Sequence, residues 1–378
     1  MKAVTYQGMK HVEVSNVPEP KIEKPDDMII RVTTSAICGS DLHLIHGLIP
    51  NLPKGYVIGH EPMGIVEEVG PEVTKLKKGD RVVIPFNVAC GECFYCTHNL
   101  ESQCERANPY EDTGGFFGYS HTTGGYAGGQ AEYLRVPFAN FTSWRIPDDC
   151  EVEDEKLALI ADAMTTAYWS ADNAGIREGD TVVVLGCGPI GLLTQKFAWL
   201  RGAKRVIAVD YLDYRLEHAK RTNHVETINF EQQEDTGTYI NELTKGGADV
   251  VIDCVGMDGK MSPVEVLQTA MNLQGGTLGA IEIAVEAVRR GGTIQITGVY
   301  GSRYNGFPLG HIMNRNINIR SGQAPVIHYM PTMYQLIAEG KVDPGDVITH
   351  VLPIDQAAYG YELFDSRSHG CIKVVLKP

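Results

Sequence analysis

Residues 181–193 read TVVVLGCGPIGLL: an apolar run, glycines at 186, 188 and 191, and the start of an apolar helix. That order leaves the chain few options. A strand turning at once into a helix needs a residue tolerant of positive φ at the turn. It needs a second position without a side chain at the helix mouth, and a third where helix and strand pack closely. The amides at such a mouth suit a pyrophosphate. A second apolar run, RVIAVD, ends at Asp210, nineteen residues beyond Gly191, where a carboxylate would hold the ribose hydroxyls of a dinucleotide. Gly186, Gly188, Pro189, Ile190, Gly191 and Asp210 are therefore candidate cofactor contacts, with Arg215, Val255 and Val299 added from the later turns. Tyr211 follows Asp210 with no basic residue beside it, which favours NAD over NADP because a 2′-phosphate would be repelled. The alternative is a glycine-rich turn that binds nothing.

From about residue 155 apolar strands (RVIAVD, DVVIDCVG, GGTIQITGV) alternate with helical stretches, KLALIADAMTTAYWSADNAG being the first of these. Such alternation predicts a doubly wound parallel sheet of the Rossmann kind, an α/β unit covered on both faces. Earlier residues are β-rich: MIIRVTTSAI, MGIVEEVG and DRVVIPF are short runs broken by Gly and Pro. Residues 105–130 carry seven glycines and five aromatics and read as a long structured loop. The expected boundaries are residues 1–163 for a β-rich catalytic domain, 164–322 for the dinucleotide domain, and 323–378 for a return to the first. The net charge of −14 argues against a nucleic-acid partner. With neither a long apolar run nor an apolar leader, the expectation is a cytoplasmic protein that does not engage membranes.

Four of the nine cysteines, Cys90, Cys93, Cys96 and Cys104, fall in CGECFYCTHNLESQC. Four thiolates on so short a loop suit a closed tetrahedral zinc, the alternatives being an iron–sulfur cluster or a redox pair. A second constellation joins ICGSDLH to GHEPMG, bringing Cys38, Ser40, Asp41, His43, His60 and Glu61 together. Beside a dinucleotide site, a cysteine and a histidine next to glycines read as two ligands of a catalytic zinc. Such a zinc needs a third ligand and one open position.

In order and spacing, CGSDLH, GHEPMG, the four-cysteine loop and GCGPIG resemble the zinc-dependent medium-chain alcohol dehydrogenase family, over essentially the whole chain. The resemblance implies a GroES-like catalytic domain beside the Rossmann domain, two zinc ions per chain and NAD. It implies that Cys38 and His60 bind the catalytic zinc, with Glu61 behind it as an outer or transient ligand. Asp41 would fix the His60 tautomer. Ser40 would take the alcohol proton and pass it, through the nicotinamide ribose, to His43 and out to solvent. Many relatives use a cysteine as third ligand, but here that place is Asp162, as in the branch resembling glutathione-independent formaldehyde dehydrogenase. Cys150 is the weaker alternative. The branch implies a small alcohol and its aldehyde or ketone, formaldehyde and primary alcohols among them, with a secondary alcohol or polyol as the alternative. The family also implies a homodimer or homotetramer through cofactor-domain strands such as GGTIQITGV. The formaldehyde dehydrogenase-like branch implies a cover over the adenine end of NAD formed by residues 257–280, surface decoration being the alternative.

Overall fold

The apolar run before the glycine turn forms the strand Thr181–Leu185, inside a six-stranded sheet whose neighbours are all parallel. Across the sheet the strands run Glu226–Asn229, Arg205–Asp210, Thr181–Leu185, Ala248–Asp253, Val288–Ile296 and Asn318–Ser321. This is sequence order 3-2-1-4-5-6, the doubly wound arrangement that reverses direction beside the first strand. Its core combines Val183, Leu185, Ile207, Val209, Val251 and Ile294 from the strands with Ile281, Ala284 and Val285 from the helix Gly279–Ala287. GGTIQITGV is not at the edge of this sheet. Its strand, Val288–Ile296, is paired on both sides, and the edges belong to Glu226–Asn229 and to Asn318–Ser321, whose four residues are all exposed.

This computed structural model describes residues 1–49, 52–110, 112–260, 276–301 and 304–378. The expected cover over the adenine end lies largely outside them. By internal contacts the chain forms two units, Met1–Thr165 with Ala324–Pro378, and Thr166–Gln323. Among the described residues no helix is long and apolar enough to cross a membrane.

The first unit is organised by the strand Met28–Ile37. It pairs antiparallel with Met63–Val69, with Tyr133–Val136 and, over its last residues, with Lys373–Lys377. Registers such as Thr34 opposite Met63 and Ile37 opposite Val374 have a direct consequence. The end of one strand lies beside the beginnings of two others. Cys38, which follows Ile37, therefore shares one end of the sheet with His60 and Glu61, which precede Met63, and with Lys373. The N-terminal residues form a hairpin, Lys2–Gly8 against His11–Asn16.

KLALIADAMTTAYWSADNAG is not one helix. A short helix, Asp154–Ala158, passes into a 3₁₀ turn, Leu159–Ala161, and a new helix begins at Ala163. Asp162 stands at the break with φ −156° and ψ −75°. The Thr165 hydroxyl donates to the Ile160 carbonyl at 2.6 Å, and Phe86 N–H donates to the Ala161 carbonyl at 3.1 Å. Helical spacing was legible in this stretch. What spacing cannot register is one residue leaving the helix so that its side chain faces elsewhere.

Candidate active site

Cys38 precedes the helix Gly39–Ile45, and the Asp41 carboxylate accepts the Cys38 N–H at 3.0 Å, closing the first turn. Asp41 is fully buried, and its Oδ2 also accepts from Gln130 Nε2 at 3.2 Å. Gln130 donates to the Ala36 carbonyl as well, and its own carbonyl accepts from the Tyr361 hydroxyl at 2.8 Å. So braced, Asp41 holds Oδ1 3.0 Å from His60 Nδ1. The other ring nitrogen, Nε2, then faces Asp162 Oδ2 at 3.3 Å and Ser40 Oγ at 3.5 Å. Cys38 Sγ completes the group, 3.4 Å from Asp162 Oδ2 and 3.3 Å from Ser40 Oγ. The donor atoms of Cys38, His60 and Asp162 all lie within 4.8 Å of one another, and all three residues are buried.

Without a cation this arrangement is unfavourable. Burial pushes the Cys38 thiol up, and the Asp162 and Glu61 carboxylates push it further. Burial opposes a charge on His60, yet Asp41 and Cys38 outweigh it and raise that imidazole well above its usual value. A divalent ion would relieve these conflicts together, and one sulfur, one nitrogen and one oxygen leave zinc a fourth position for substrate. The donor set fits zinc. Behind it Glu61 and Lys373 form a completely buried ion pair. Burial raises the Glu61 carboxyl, while Lys373 pulls against that shift.

The four-cysteine loop is geometrically simpler. Sγ separations are 3.5 Å between Cys93 and Cys96 and 3.9 Å for Cys90–Cys96 and Cys93–Cys104. Four sulfurs about 2.3 Å from a central zinc would stand about 3.8 Å apart, so these separations fit. Backbone N–H groups of Glu92 and Cys93 donate to Cys90 Sγ, and that of Cys90 to Cys104 Sγ, which suits thiolates.

In the second unit the glycines divide their work. Gly186 has φ +90°, and a Cβ on Gly191 would stand 1.9 Å from the Gly186 carbonyl oxygen. A Cβ on Gly188 would meet only Arg215, at 3.8 Å, so that side is open to a ligand. Val255 packs beside Gly186, and the Val299 carbonyl accepts from Met257 N–H. Pro189 opens the helix Pro189–Leu200, with Ile190 next to it. Asp210 Oδ2 accepts the Cys187 N–H at 2.7 Å, while Oδ1 takes those of Tyr211 and Leu212. Three of roughly four acceptor sites on the carboxylate are thereby used, leaving one for a ribose hydroxyl.

Residues 24–148 match the alcohol dehydrogenase GroES-like domain and residues 189–271 the zinc-binding dehydrogenase domain. The chain is 71% identical, over the full length of both, to the uncharacterized zinc-type alcohol dehydrogenase-like protein AdhB of Bacillus subtilis. It belongs to the zinc-dependent medium-chain alcohol dehydrogenases. Glutathione-independent formaldehyde dehydrogenase of Pseudomonas aeruginosa is 34% identical over 97% of this chain and 95% of its own. Among solved structures, alcohol dehydrogenase TADH from Thermus sp. ATN1 superposes with a TM-score of 0.85 at 35% identity, covering 100% of this chain and 99% of its own.

Within this dehydrogenase the expected metal-site residues converge, and Cys150 is not among the grouped donors. His43 is 5% exposed, with Nδ1 3.2 Å from the Tyr119 hydroxyl. Sequence reasoning missed Tyr119, Gln130, Tyr361 and Lys373. Only Lys373 carried a signal, as a cation at the start of the apolar run KVVLK.

Proposed function

We propose that this dehydrogenase oxidises a small alcohol with NAD, using zinc at Cys38, His60 and Asp162, with a second zinc held by Cys90, Cys93, Cys96 and Cys104. The observation that carries the reading is the buried thiol–imidazole–carboxylate group with a serine hydroxyl at its margin. Bound there, zinc supplies the Lewis acidity that lets an alcohol lose its proton near neutral pH, and NAD supplies the hydride acceptor. The chain's own residues do the rest. Asp41 fixes the His60 ring so that Nε2 points at the ligand group. Ser40 Oγ takes the alcohol proton, and His43, three residues on along the same helix, receives it. Glu61, balanced by Lys373, sets the charge behind the donors. In the second unit Gly188 leaves room for the pyrophosphate, Arg215 flanks it, and Asp210 takes the ribose.

Substrate size is the finer question. The Phe86 and Tyr119 rings both stand edge-on to His60, with centroids at 6.3 Å and 6.4 Å, which narrows the approach. Together with an aspartate among the donors and the formaldehyde dehydrogenase relative, this supports short primary alcohols, and formaldehyde as its hydrated gem-diol. Steady-state kinetics on primary, secondary and polyol substrates, with NAD and with NADP, tests the reading alongside zinc analysis. Two zinc ions per chain and the highest kcat/KM on a short primary alcohol with NAD are expected. Preference for a secondary alcohol or polyol would replace the substrate assignment, and a zinc-free active protein would overturn the whole.

A further inference from the structure

His43 is buried, so a proton reaching it still has to leave the protein. Tyr119 meets its Nδ1 at 3.2 Å, and Tyr119 is itself only partly covered. The ring of Tyr119 packs against the cluster containing Leu42, Ile45 and Ile58, which fixes where the hydroxyl points. It also lies edge-on to His60, so one side chain touches both the ligand group and the proton path.

We propose that Tyr119 positions His43 and carries its proton outward. The inference rests on Ser40 and His43 being the proton path of the proposed reaction. The step balances without a charged phenol. As His43 Nδ1–H gives its proton to the Tyr119 oxygen, the Tyr119 O–H bond breaks and that proton passes to water. One proton enters the hydroxyl and one leaves it. The cycle resets when the imidazole ring flips, so that its remaining N–H again faces Tyr119, and the hydroxyl rotates to accept from it.

Tyr119→Phe removes the oxygen and keeps the ring, so zinc content and melting temperature serve as controls. Stopped-flow mixing of enzyme, NAD and alcohol with a pH indicator reads proton release directly. A positioned proton-transfer group contributes roughly a hundredfold or more, and with water able to substitute in part we expect release to slow about tenfold. KM should stay unchanged, and added imidazole, a small diffusible proton carrier, should restore the rate. His43→Gln should slow release in its own right, and Tyr119→Phe on that background should cost nothing further. If Tyr119→Phe releases protons at the wild-type rate, is not rescued by imidazole, or adds its full loss to His43→Gln, the inference is wrong. If Tyr119→Phe loses zinc or melts early, the double variant decides: an additive loss of release overturns the inference, a non-additive one supports it. Should His43→Gln release protons normally, the underlying proton path fails, and that result is separate from failure at Tyr119 alone.

Discussion

The two donor groups of this dehydrogenase solve opposite problems. Cys90, Cys93, Cys96 and Cys104 lie on one loop and need only that loop to curl. Cys38, His60 and Asp162 reach one another from strand ends and a helix break, the last standing 124 positions after the first. The loop supplies four like donors and leaves no position open. The dispersed group supplies three unlike donors and is surrounded by groups able to hold charge or move protons. A contiguous site is suited to holding the chain together, and a dispersed one, assembled by the whole fold, is suited to chemistry.

The sharpest way to break this comparison is to remove one donor from each. Asp162→Ala should reduce zinc from two to about one per chain and drop turnover to background, because an open site needs all three protein ligands. Metal analysis and initial rates check it; full zinc content with normal turnover would make Asp162 a bystander. Cys93→Ser should do the reverse. Structural zinc contributes folding free energy outright, so melting temperature should fall steeply while any folded fraction retains its chemical step. A stable Cys93→Ser protein with only its hydride step slowed would erase the distinction.

A smaller effect separates the groups by their surroundings. Lys373→Met leaves Glu61 as a fully buried carboxylate without its cation, which should cost about 3–5 kcal/mol. Denaturant unfolding measures the loss. Adding Glu61→Gln to Lys373→Met should return most of it, since replacing both members of a buried pair is often neutral. If the single variant is as stable as the parent, the pair is not what holds that sheet end.

The same contrast explains what could be read before the fold was seen. The cysteine spacing was legible because its geometry is local. The strand–turn–helix at residues 181–193 was legible because each glycine answers a short-range steric demand. Cys38 and His60 were legible as a ligand pair beside glycines and a dinucleotide site, whereas Asp162 came only through a resemblance, since no spacing rule links residues so far apart. Lys373 meets Glu61 because Lys373–Lys377 and Met63–Val69 both pair antiparallel with Met28–Ile37, and Tyr119 meets His43 from 76 positions away. Gln130 looked like one polar residue at the end of a glycine-rich loop, yet it braces Asp41. Side-chain partners of this kind depend on register and burial, which local pattern does not encode.

The smallest predicted effect lies in the cysteine loop, where one residue does not serve the metal. Glu101 is buried in the 3₁₀ turn Glu101–Gln103 with Oε2 lacking a hydrogen-bond partner, and burial pushes its carboxyl up to about 7. A folded value above the unfolded one means the folded state binds the extra proton. Stability from this group is therefore present at acid pH and is lost as pH rises from about 4.3, the unfolded value, through about 7. Glu101→Gln keeps the shape and cannot ionise. Its advantage over the parent should be near zero at about pH 4, grow across that window, and level off above it at about 1–3 kcal/mol, after allowing for an imperfectly bonded amide. Urea unfolding across the window, with zinc bound, provides the measurement. A constant difference at every pH would mean that Glu101 does not titrate there, and the loop would then hold only its four thiolates as ionising groups that matter to stability.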